Sequence, residues 1–150
     1  MKHFVKDWMT KKPLRVTVDE DVDFAAELMR RQAVGHILVM DERRLTGILS
    51  TQDLVTARTI LKRFPESDAL NVSLTVGDLM GRTPKTISSK ATIAEAATTM
   101  HEIGIHCLPV TDDDGEICGI ITSTDLMKYA LIASQRLDAE DMLSKAAREA

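Results

Sequence analysis

The sequence has few aromatic residues, only two cysteines and no long apolar run. Aromatic residues make up 3% of the 150 residues, and single-stranded nucleic acids are bound largely by stacking bases on aromatic rings. No apolar run approaches the roughly 18 to 20 residues that cross a bilayer, and the N-terminal stretch MKHFVKDWMTKK has no apolar centre. These absences argue against nucleic-acid-binding, membrane and secreted proteins, and they predict a cytoplasmic location.

The charged residues show no excess of basic side chains. The net charge is −4, so no basic field would recruit nucleic acid. Hydrophobic residues make up 44% and charged residues 28%, which excludes disorder of the whole chain. Because aromatic residues are rare, the predicted core is aliphatic and built from Val, Ile, Leu, Ala and the eight Met.

The two cysteines, Cys107 and Cys118, flank the acidic turn of residues 112–116. If residues 106–111 and 117–121 form a hairpin, position 110 lies opposite 118 and position 107 opposite 121, so the thiols do not face each other. No His/Cys cluster surrounds them, and the turn lacks the length and closing Glu of a calcium loop. We expect two small buried hydrophobes, no disulfide and no metal site.

An internal repeat organises the chain. The segment Val5-Lys6-Asp7-Trp8-Met9 recurs as Val76-Gly77-Asp78-Leu79-Met80, 71 positions later. After one extra residue in a turn the offset becomes 72, and GILSTQDL (47–54) matches GIITSTDL (119–126). Chance does not keep one offset with a single slip over this distance, so the chain contains two copies of one unit.

Each copy has the same predicted order of elements, β-α-β-β-α. An extended piece (14–18 or 86–89) precedes an amphipathic helix, with Asp21 or Thr92 as its N-cap. In the first copy the apolar face of this helix consists of Val22, Ala25, Ala26, Met29 and Ala33. Two apolar runs around a polar turn then predict a hairpin, and a second helix covers about 51–63 or 123–135.

The predicted fold is α/β of the α+β type, with the two repeats packed sheet to sheet about a pseudo-twofold axis. So few short strands cannot cover both faces of a sheet alone. Residues 1–63 are predicted as the first repeat, 64–75 as a linker and 76–135 as the second repeat. Residues 136–150 are predicted as a charged C-terminal helix or tail, either solvated or binding a partner.

Both copies contain a Gly, two apolar residues, a Ser or Thr, and an Asp three residues later. These residues are Gly47, Ser50 and Asp53, and Gly119, Thr122 and Asp125. A helix that begins at the Ser or Thr presents partial positive charge to a phosphate, and the Asp can accept hydrogen bonds from ribose hydroxyls. The same spacing is that of a capping box. Both interpretations stay open for one copy, while two matched copies favour two ligand clefts.

These motifs resemble those of CBS domains, named for cystathionine β-synthase, and the pair resembles a Bateman module. The similarity covers roughly residues 5–63 and 76–135. It rests on Val-x-Asp-x-Met, on the run from Leu108 to Asp112 with its Pro and Val, and on Gly-Ile-x-Thr-x-x-Asp. The resemblance implies binding of an adenosine-containing ligand, such as AMP, ADP, ATP, S-adenosylmethionine or sometimes NAD, and regulation of a partner.

The resemblance also implies roles for individual residues. Asp53 and Asp125 would hold ribose, and Ser50 and Thr122 would lie near the phosphates or ribose. The other implied pocket residues are Gln52 and Thr124 before the Asp, Ile48 and Ile120 on the strand, Leu14 beside Asp125, Lys85 beside Asp53, and His36, His106 and Cys107 where the family often has basic phosphate contacts.

At those last positions the sequence departs from the family's stronger nucleotide binders. An Arg would carry a permanent charge, whereas His36 titrates near neutrality and Cys107 is uncharged. This predicts modest, pH-dependent phosphate affinity and favours AMP or another ligand with few phosphates. Leu38 replaces the proline present as Pro109 in the second copy, so we expect the Asp125 cleft to be better formed. Otherwise each histidine is a satisfied polar residue at a strand edge.

The predicted function is a regulatory module that senses an adenosine ligand and modulates an unidentified partner protein. The resemblance implies a homodimer formed through the second helices, which carry extra apolar residues, namely Ile60, Leu61, Leu131 and Ile132. The alternative is a protein-interaction module with empty clefts, in which Asp53 and Asp125 only cap helices. No metal cluster, nucleophile–base pair or Walker loop in the sequence supports an enzyme.

Overall fold

A computed structural model describes residues 3–63 and 74–149. The first repeat contains a 3₁₀ turn at Val5–Asp7, strands β1 (Thr10–Lys11) and β2 (Arg15–Thr17), helix α1 (Val22–Arg31), strands β3 (His36–Asp41) and β4 (Arg44–Ser50), and helix α2 (Thr51–Arg63). The second repeat contains helix α3 (Val76–Leu79), strands β5 (Gly81–Arg82) and β6 (Ile87–Ser88), helix α4 (Ile93–Ile103), strands β7 (Cys107–Thr111) and β8 (Ile117–Thr122), and helix α5 (Ser123–Glu149).

The repeats exchange their first strands. One sheet has the order β1-β8-β7-β6 and the other has the order β2-β3-β4-β5. Thr10 of the first repeat therefore pairs with Ile120 of the second, and Gly81 of the second pairs with Ile48 of the first. The predicted order of elements omitted β1 and β5, because strands of two residues have no hydrophobic period to detect.

Three apolar clusters confirm an aliphatic core. One lies in the first repeat but includes Val76 and Met80 from the second. Another lies in the second repeat but includes Val5, and Trp8 and Met9 pack against it. The third lies between the two sheets and consists of Leu38, Met40, Cys107 and Ile120, with Leu45, Ile48 and Ile117 packed against it. The sheets thus pack face to face, as the α+β prediction expected.

The caps of the first long helices are confirmed. The Asp21 carboxylate accepts hydrogen bonds from Asp23 N at 2.8 Å and Phe24 N at 3.3 Å, and Thr92 forms a capping box at the start of α4. The predicted extent of α1 was wrong at its end. The helix stops at Arg31, and Ala33 has a left-handed φ of 52° instead of joining the apolar face.

The register of the second hairpin differs by one residue from the predicted one. Val110 faces Gly119 rather than position 118, and Cys107 faces Thr122 rather than position 121. A register shift between Val110 and Thr111 accounts for the difference, since a bulge adds one residue to one strand. Both cysteines are free thiols.

Helix α5 continues without a break from Ser123 to Glu149. The predicted boundary between a helix over 123–135 and a separate helix over 136–150 is therefore absent from the described chain. Of the predicted linker 64–75, only the last two residues lie within the described residues, where Leu74 O accepts a hydrogen bond from Val22 N at 2.9 Å. None of the described helices is long and apolar enough to cross a membrane.

Candidate functional site

The two Ser/Thr-x-x-Asp motifs have the same hydrogen bonds at the starts of α2 and α5. Asp53 Oδ2 accepts from Ser50 N at 2.8 Å and from Ser50 Oγ at 2.6 Å. Asp125 Oδ2 accepts from Thr122 N at 2.9 Å and from Thr122 Oγ1 at 2.8 Å. The capping interpretation therefore describes one carboxylate oxygen of each Asp. The other oxygen, Oδ1, lies outside the box, so capping and ligand binding are compatible.

The glycine of each motif allows the short strand from the other repeat to pack closely against the motif. A Cβ on Gly119 would lie 2.5 Å from Met9 Sδ and 3.0 Å from Thr10 O, and a Cβ on Gly47 would lie 2.5 Å from Met80 Sδ and 2.8 Å from Gly81 O. A side chain at either glycine would push the exchanged strand away from the motif. The glycine thus positions the neighbouring repeat against the Asp-containing helix start.

A cleft of about 440 Å³ lies against Asp125 and is built from both repeats. From the second repeat come Ile120, Thr122, Thr124 and Asp125, and from the first come Leu14 and His36. Six of the predicted site residues are thus brought together in one place. The first repeat reaches this cleft through the segment that joins β1 to β2, and through the start of β3.

His106 and Cys107 do not line the Asp125 cleft. Cys107 is only 5% exposed and packs between the sheets, and burial raises the pKa of its thiol to about 12. A neutral, buried thiol cannot contact a phosphate, which corrects the prediction for Cys107. His106 is exposed, and its carbonyl oxygen accepts a hydrogen bond from Ser123 N at 2.9 Å at the start of α5.

The remaining predicted residues belong to the Asp53 side of the molecule. Ile48 and Ser50 are half-buried on β4, and Gln52 is exposed in the first turn of α2. Lys85 is exposed between β5 and β6, three residues after the strand that pairs with Ile48. The sequence repeat places Lys85 on this side as the counterpart of Leu14.

Sequence reasoning missed two cations, Lys12 and Lys128, which both line the Asp125 cleft. Lys128 Nζ lies 4.0 Å from Asp125 Oδ1. The signals were available, since Lys12 directly precedes Pro13-Leu14 and Lys128 follows Asp125 by about one helical turn. Neither lysine stands at a motif position of the family, so the resemblance alone does not indicate them. Gln32 also lines this cleft.

Lys12 has a strained backbone. Its φ is 54°, a left-handed conformation that is costly for a residue with a Cβ, and it directly precedes a proline, which disfavours helical conformations. Thr83, the counterpart 71 positions later, has a φ of 53°. The segment between β1 and β2 and the segment between β5 and β6 therefore contain the same strained backbone conformation. Strain of this kind is often retained at binding sites.

His36 is a titratable residue that lies beside both motifs. It pairs across the hairpin with Ser50 and lines the Asp125 cleft. Burial, followed by the nearby His106, lowers the pKa of His36, while Asp53 partly opposes this shift. The imidazole is therefore neutral near pH 7, so the positive charge along the described lining of the cleft comes from Lys12 and Lys128.

Among the described residues, no group of three or more His, Cys, Asp or Glu side chains is arranged to hold a metal ion. The acidic turn instead satisfies its own backbone, because the Asp112 carboxylate accepts hydrogen bonds from Asp114 N and Glu116 N, both at 3.0 Å. Gly115, with a φ of 81°, closes this turn.

Solved structures share the fold of this chain. The structure of Arabidopsis thaliana CBSX2 in complex with AMP has a TM-score of 0.73 and 29% identity, and the match covers 88% of this chain and 98% of the crystallised CBSX2 chain. The CBS domain pair of protein MJ0100, in complex with 5′-methylthioadenosine and S-adenosyl-L-methionine, has a TM-score of 0.70 and 25% identity, with coverage of 84% and 98%.

Sequence relatives include longer proteins. The chain is 31% identical to the chloroplastic CBS domain-containing protein CBSX1 of Arabidopsis thaliana, over 85% of this chain and 64% of CBSX1. It is 28% identical to an inosine-5′-monophosphate dehydrogenase of Korarchaeum cryptofilum, over 81% of this chain but 23% of that enzyme. The chain thus spans less than two thirds of either relative.

The CBS domain profile matches residues 5–60 and 76–132, and the chain therefore belongs to the CBS domain family.

Proposed function

We propose that this chain binds an adenosine-containing ligand in the Asp125 cleft and that occupancy of the cleft modulates a partner protein. The observation that carries the proposal is the combination of chemical groups lining one cleft. A carboxylate oxygen of Asp125 outside its capping box lies beside apolar Leu14 and Ile120, with two lysines nearby.

Each part of such a ligand has a matching group. Asp125 Oδ1 can accept hydrogen bonds from ribose hydroxyls, and Leu14 and Ile120 offer apolar contact to an adenine ring. The ammonium groups of Lys12 and Lys128 suit an anionic group on the ribose. The volume of about 440 Å³ falls within the range typical of small-molecule sites.

The solved relatives support this class of ligand. CBSX2 was crystallised with AMP, and the CBS pair of MJ0100 with 5′-methylthioadenosine and S-adenosyl-L-methionine. All three compounds contain adenosine and differ at the 5′ substituent. Adenosine is therefore the part that these ligands share, and we propose that the ligand of this chain contains it.

The construction of the cleft suggests how binding would be transmitted. Its walls come from the β1–β2 connection of the first repeat and from the start of α5 in the second. A ligand that contacts both walls would favour one relative placement of the repeats, which is the requirement for coupling to a partner. We propose a regulatory rather than a catalytic role.

We further propose a homodimer joined through α2 and α5. Helix α5 exposes Met127 and Leu131, 63% and 59% exposed, and α2 exposes Val55. Exposed apolar residues in such a row mark association surfaces. Ile60 and Leu61 lie outside the residues whose side chains the structure describes. The free thiols of Cys107 and Cys118 are compatible with the reducing cytoplasm that we propose as the location.

Thermal unfolding with candidate ligands tests the ligand proposal. The panel is AMP, ADP, ATP, S-adenosylmethionine, NADH and, as a negative control, a guanine nucleotide. A ligand present at about 100 times its Kd adds roughly 2.7 kcal/mol of stability. We expect a clear rise in Tm with at least one adenosine compound. No rise with any compound would instead favour a protein-interaction module with unoccupied clefts.

A further inference from the structure

We propose that the Asp125 cleft selects adenosine compounds carrying a 5′-phosphate over S-adenosylmethionine, and that Lys12 and Lys128 are the residues that decide this selectivity. The proposal rests on the proposed function, because it assumes that an adenosine ligand occupies the cleft. It goes beyond that function by naming the charge of the ligand and the two side chains that recognise this charge.

The charge of the cleft lining favours an anion. Among the described residues that line it, the charged side chains are two ammonium groups, Lys12 and Lys128, and one carboxylate, Asp125. One oxygen of that carboxylate already accepts two hydrogen bonds from Thr122. The local excess of positive charge attracts a phosphate, whereas the sulfonium of S-adenosylmethionine would face two like charges.

The two lysines approach from opposite walls. Lys128 lies on α5, with its Nζ 4.0 Å from Asp125 Oδ1, so an ammonium group lies next to the oxygen proposed to hold ribose. The 5′ carbon is attached to the same ribose ring, which puts a 5′-phosphate within the neighbourhood of Lys128. Lys12 lies in the connection between β1 and β2, where its left-handed backbone and buried Pro13 fix its position.

The Asp53 side has no such pair of cations at the matching positions. The repeat offset makes Thr83 the counterpart of Lys12 and Thr56 the counterpart of Lys128. Thr83 Oγ1 donates to Arg82 O at 2.7 Å, and Thr56 Oγ1 donates to Gln52 O at 2.9 Å. Both hydroxyls are thus bonded to backbone and neither carries charge. A cation on the Asp53 side, Lys85, stands instead at the position of apolar Leu14.

The two halves of the module are therefore chemically different despite their common ancestry. Phosphate selectivity is assigned to the Asp125 cleft, because its lysine pair has no charged equivalent at the matching positions. The expected stoichiometry for tight AMP binding is one molecule per chain.

Isothermal titration calorimetry with AMP, ADP, 5′-methylthioadenosine and S-adenosylmethionine tests the proposal on the full chain, in buffer of low ionic strength without divalent cations. AMP and 5′-methylthioadenosine share adenine and ribose, so their ratio compares a 5′-phosphate with an uncharged methylthio group. 5′-Methylthioadenosine and S-adenosylmethionine differ by the aminocarboxypropyl group, whose attachment makes the sulfur a cationic sulfonium. We expect AMP and ADP to bind at least about tenfold more tightly than the other two compounds.

Lysine variants assign the selectivity to residues. Lys12→Gln and Lys128→Gln should each weaken AMP binding by about tenfold and leave 5′-methylthioadenosine within about twofold. Lys11→Gln, on exposed β1 and outside the cleft lining, removes the same charge from a neighbouring position and should leave the AMP-to-methylthioadenosine ratio unchanged.

Three results would overturn the proposal. S-Adenosylmethionine that binds as tightly as AMP would show that the charge of the cleft does not select the ligand. Lysine variants that weaken AMP and 5′-methylthioadenosine equally would show a structural role for the lysines. In both cases the proposed function survives. Absence of binding by all four compounds would remove the proposed function and the selectivity together.

Discussion

The Met9 side chain of the first repeat packs against Gly119 of the second, so closely that a Cβ on the glycine would come within 2.5 Å of the methionine sulfur. Met80 and Gly47 have the same relationship on the other side of the pseudo-twofold axis. The two repeats therefore pack against each other at their motif glycines. Each glycine contributes to stability and to the shape of the cleft beside it.

Gly119→Ala should destabilise the protein by about 1–3 kcal/mol, because a new methyl group in a packed crossing forces backbone or side chains to shift. Met9 is flexible, but Thr10 O at 3.0 Å is backbone and cannot rotate away. Urea denaturation measures the effect. Gly81→Ala is the matched control, since its Cβ would meet Ile48 O at an ordinary 3.7 Å. Equal stability of the two variants would contradict the close crossing.

Acidification should destabilise the ligand-free protein partly through His36. Burial and His106 lower the pKa of His36 in the folded state, whereas an unfolded histidine titrates near about 6.5. As pH falls below that value the unfolded chain takes up the proton first, so stability is lost as pH decreases. The stabilising effect of neutral His36 is fully present above pH 7.

The expected result is a larger fall in Tm between pH 7.5 and pH 5.5 for the wild type than for His36→Gln. Asp53 opposes the shift, and the charged residues Lys12, Asp125 and Lys128 line the same cleft as His36. A parallel series with His106→Gln shows how much of the shift this second imidazole causes. Identical pH dependence of wild type and His36→Gln would refute the assignment.

Cys107 should resist alkylation in the folded protein. Its pKa is raised to about 12 by burial, and the thiolate is the reactive form. Cys118 is half-buried, and burial followed by the nearby Asp112 also raises its pKa. Mass spectrometry after iodoacetamide treatment at pH 8 should show slow labelling at Cys118 and labelling at Cys107 only after unfolding. Equal rates at both thiols in the folded state would be inconsistent with this packing.

The proposed dimer predicts a solution mass of twice 16.6 kDa. Replacing both Met127 and Leu131 by Glu should yield a monomer, because the two side chains lie four residues apart on one face of α5. Sedimentation equilibrium measures the mass. Phe24→Glu, on exposed α1, adds a similar charge elsewhere and should remain dimeric. A wild-type monomer, or a dimer that withstands the double substitution, would exclude this interface.

Most of the fold could be predicted from the internal repeat. An offset of 71 to 72 residues is visible only because both copies keep the same apolar positions, and these positions face a core in each copy. The strand exchange was not predictable from periodicity, since β1 and β5 have two residues each. The end of α1 was missed because Ala33 adopts the left-handed φ that Gly104 adopts after α4.

The candidate site was predicted less completely than the fold. Asp125, Thr122 and Leu14 meet in one cleft as the family resemblance implied. Cys107 was assigned to the site although it lies in the core, because motif position does not reveal which face of a strand a side chain occupies. Lys12 and Lys128 were missed because they belong to no motif and meet only through the strand exchange.

The central claim is that Asp125 binds ligand in addition to capping α5, and Asp78 offers a matched comparison. Asp78 Oδ2 accepts hydrogen bonds from Thr75 N and Thr75 Oγ1, both at 2.8 Å, in a capping box of the same kind at α3. Asp125→Asn and Asp78→Asn should therefore each lose a similar amount of stability, about 0.5–2 kcal/mol.

The most direct measurement is the AMP affinity of these two variants and the wild type by isothermal titration calorimetry, at a temperature where all three are folded. We expect Asp125→Asn to weaken AMP binding by at least about tenfold, while Asp78→Asn binds AMP like the wild type. Unchanged AMP affinity in Asp125→Asn, or an equal loss in both variants, would contradict it.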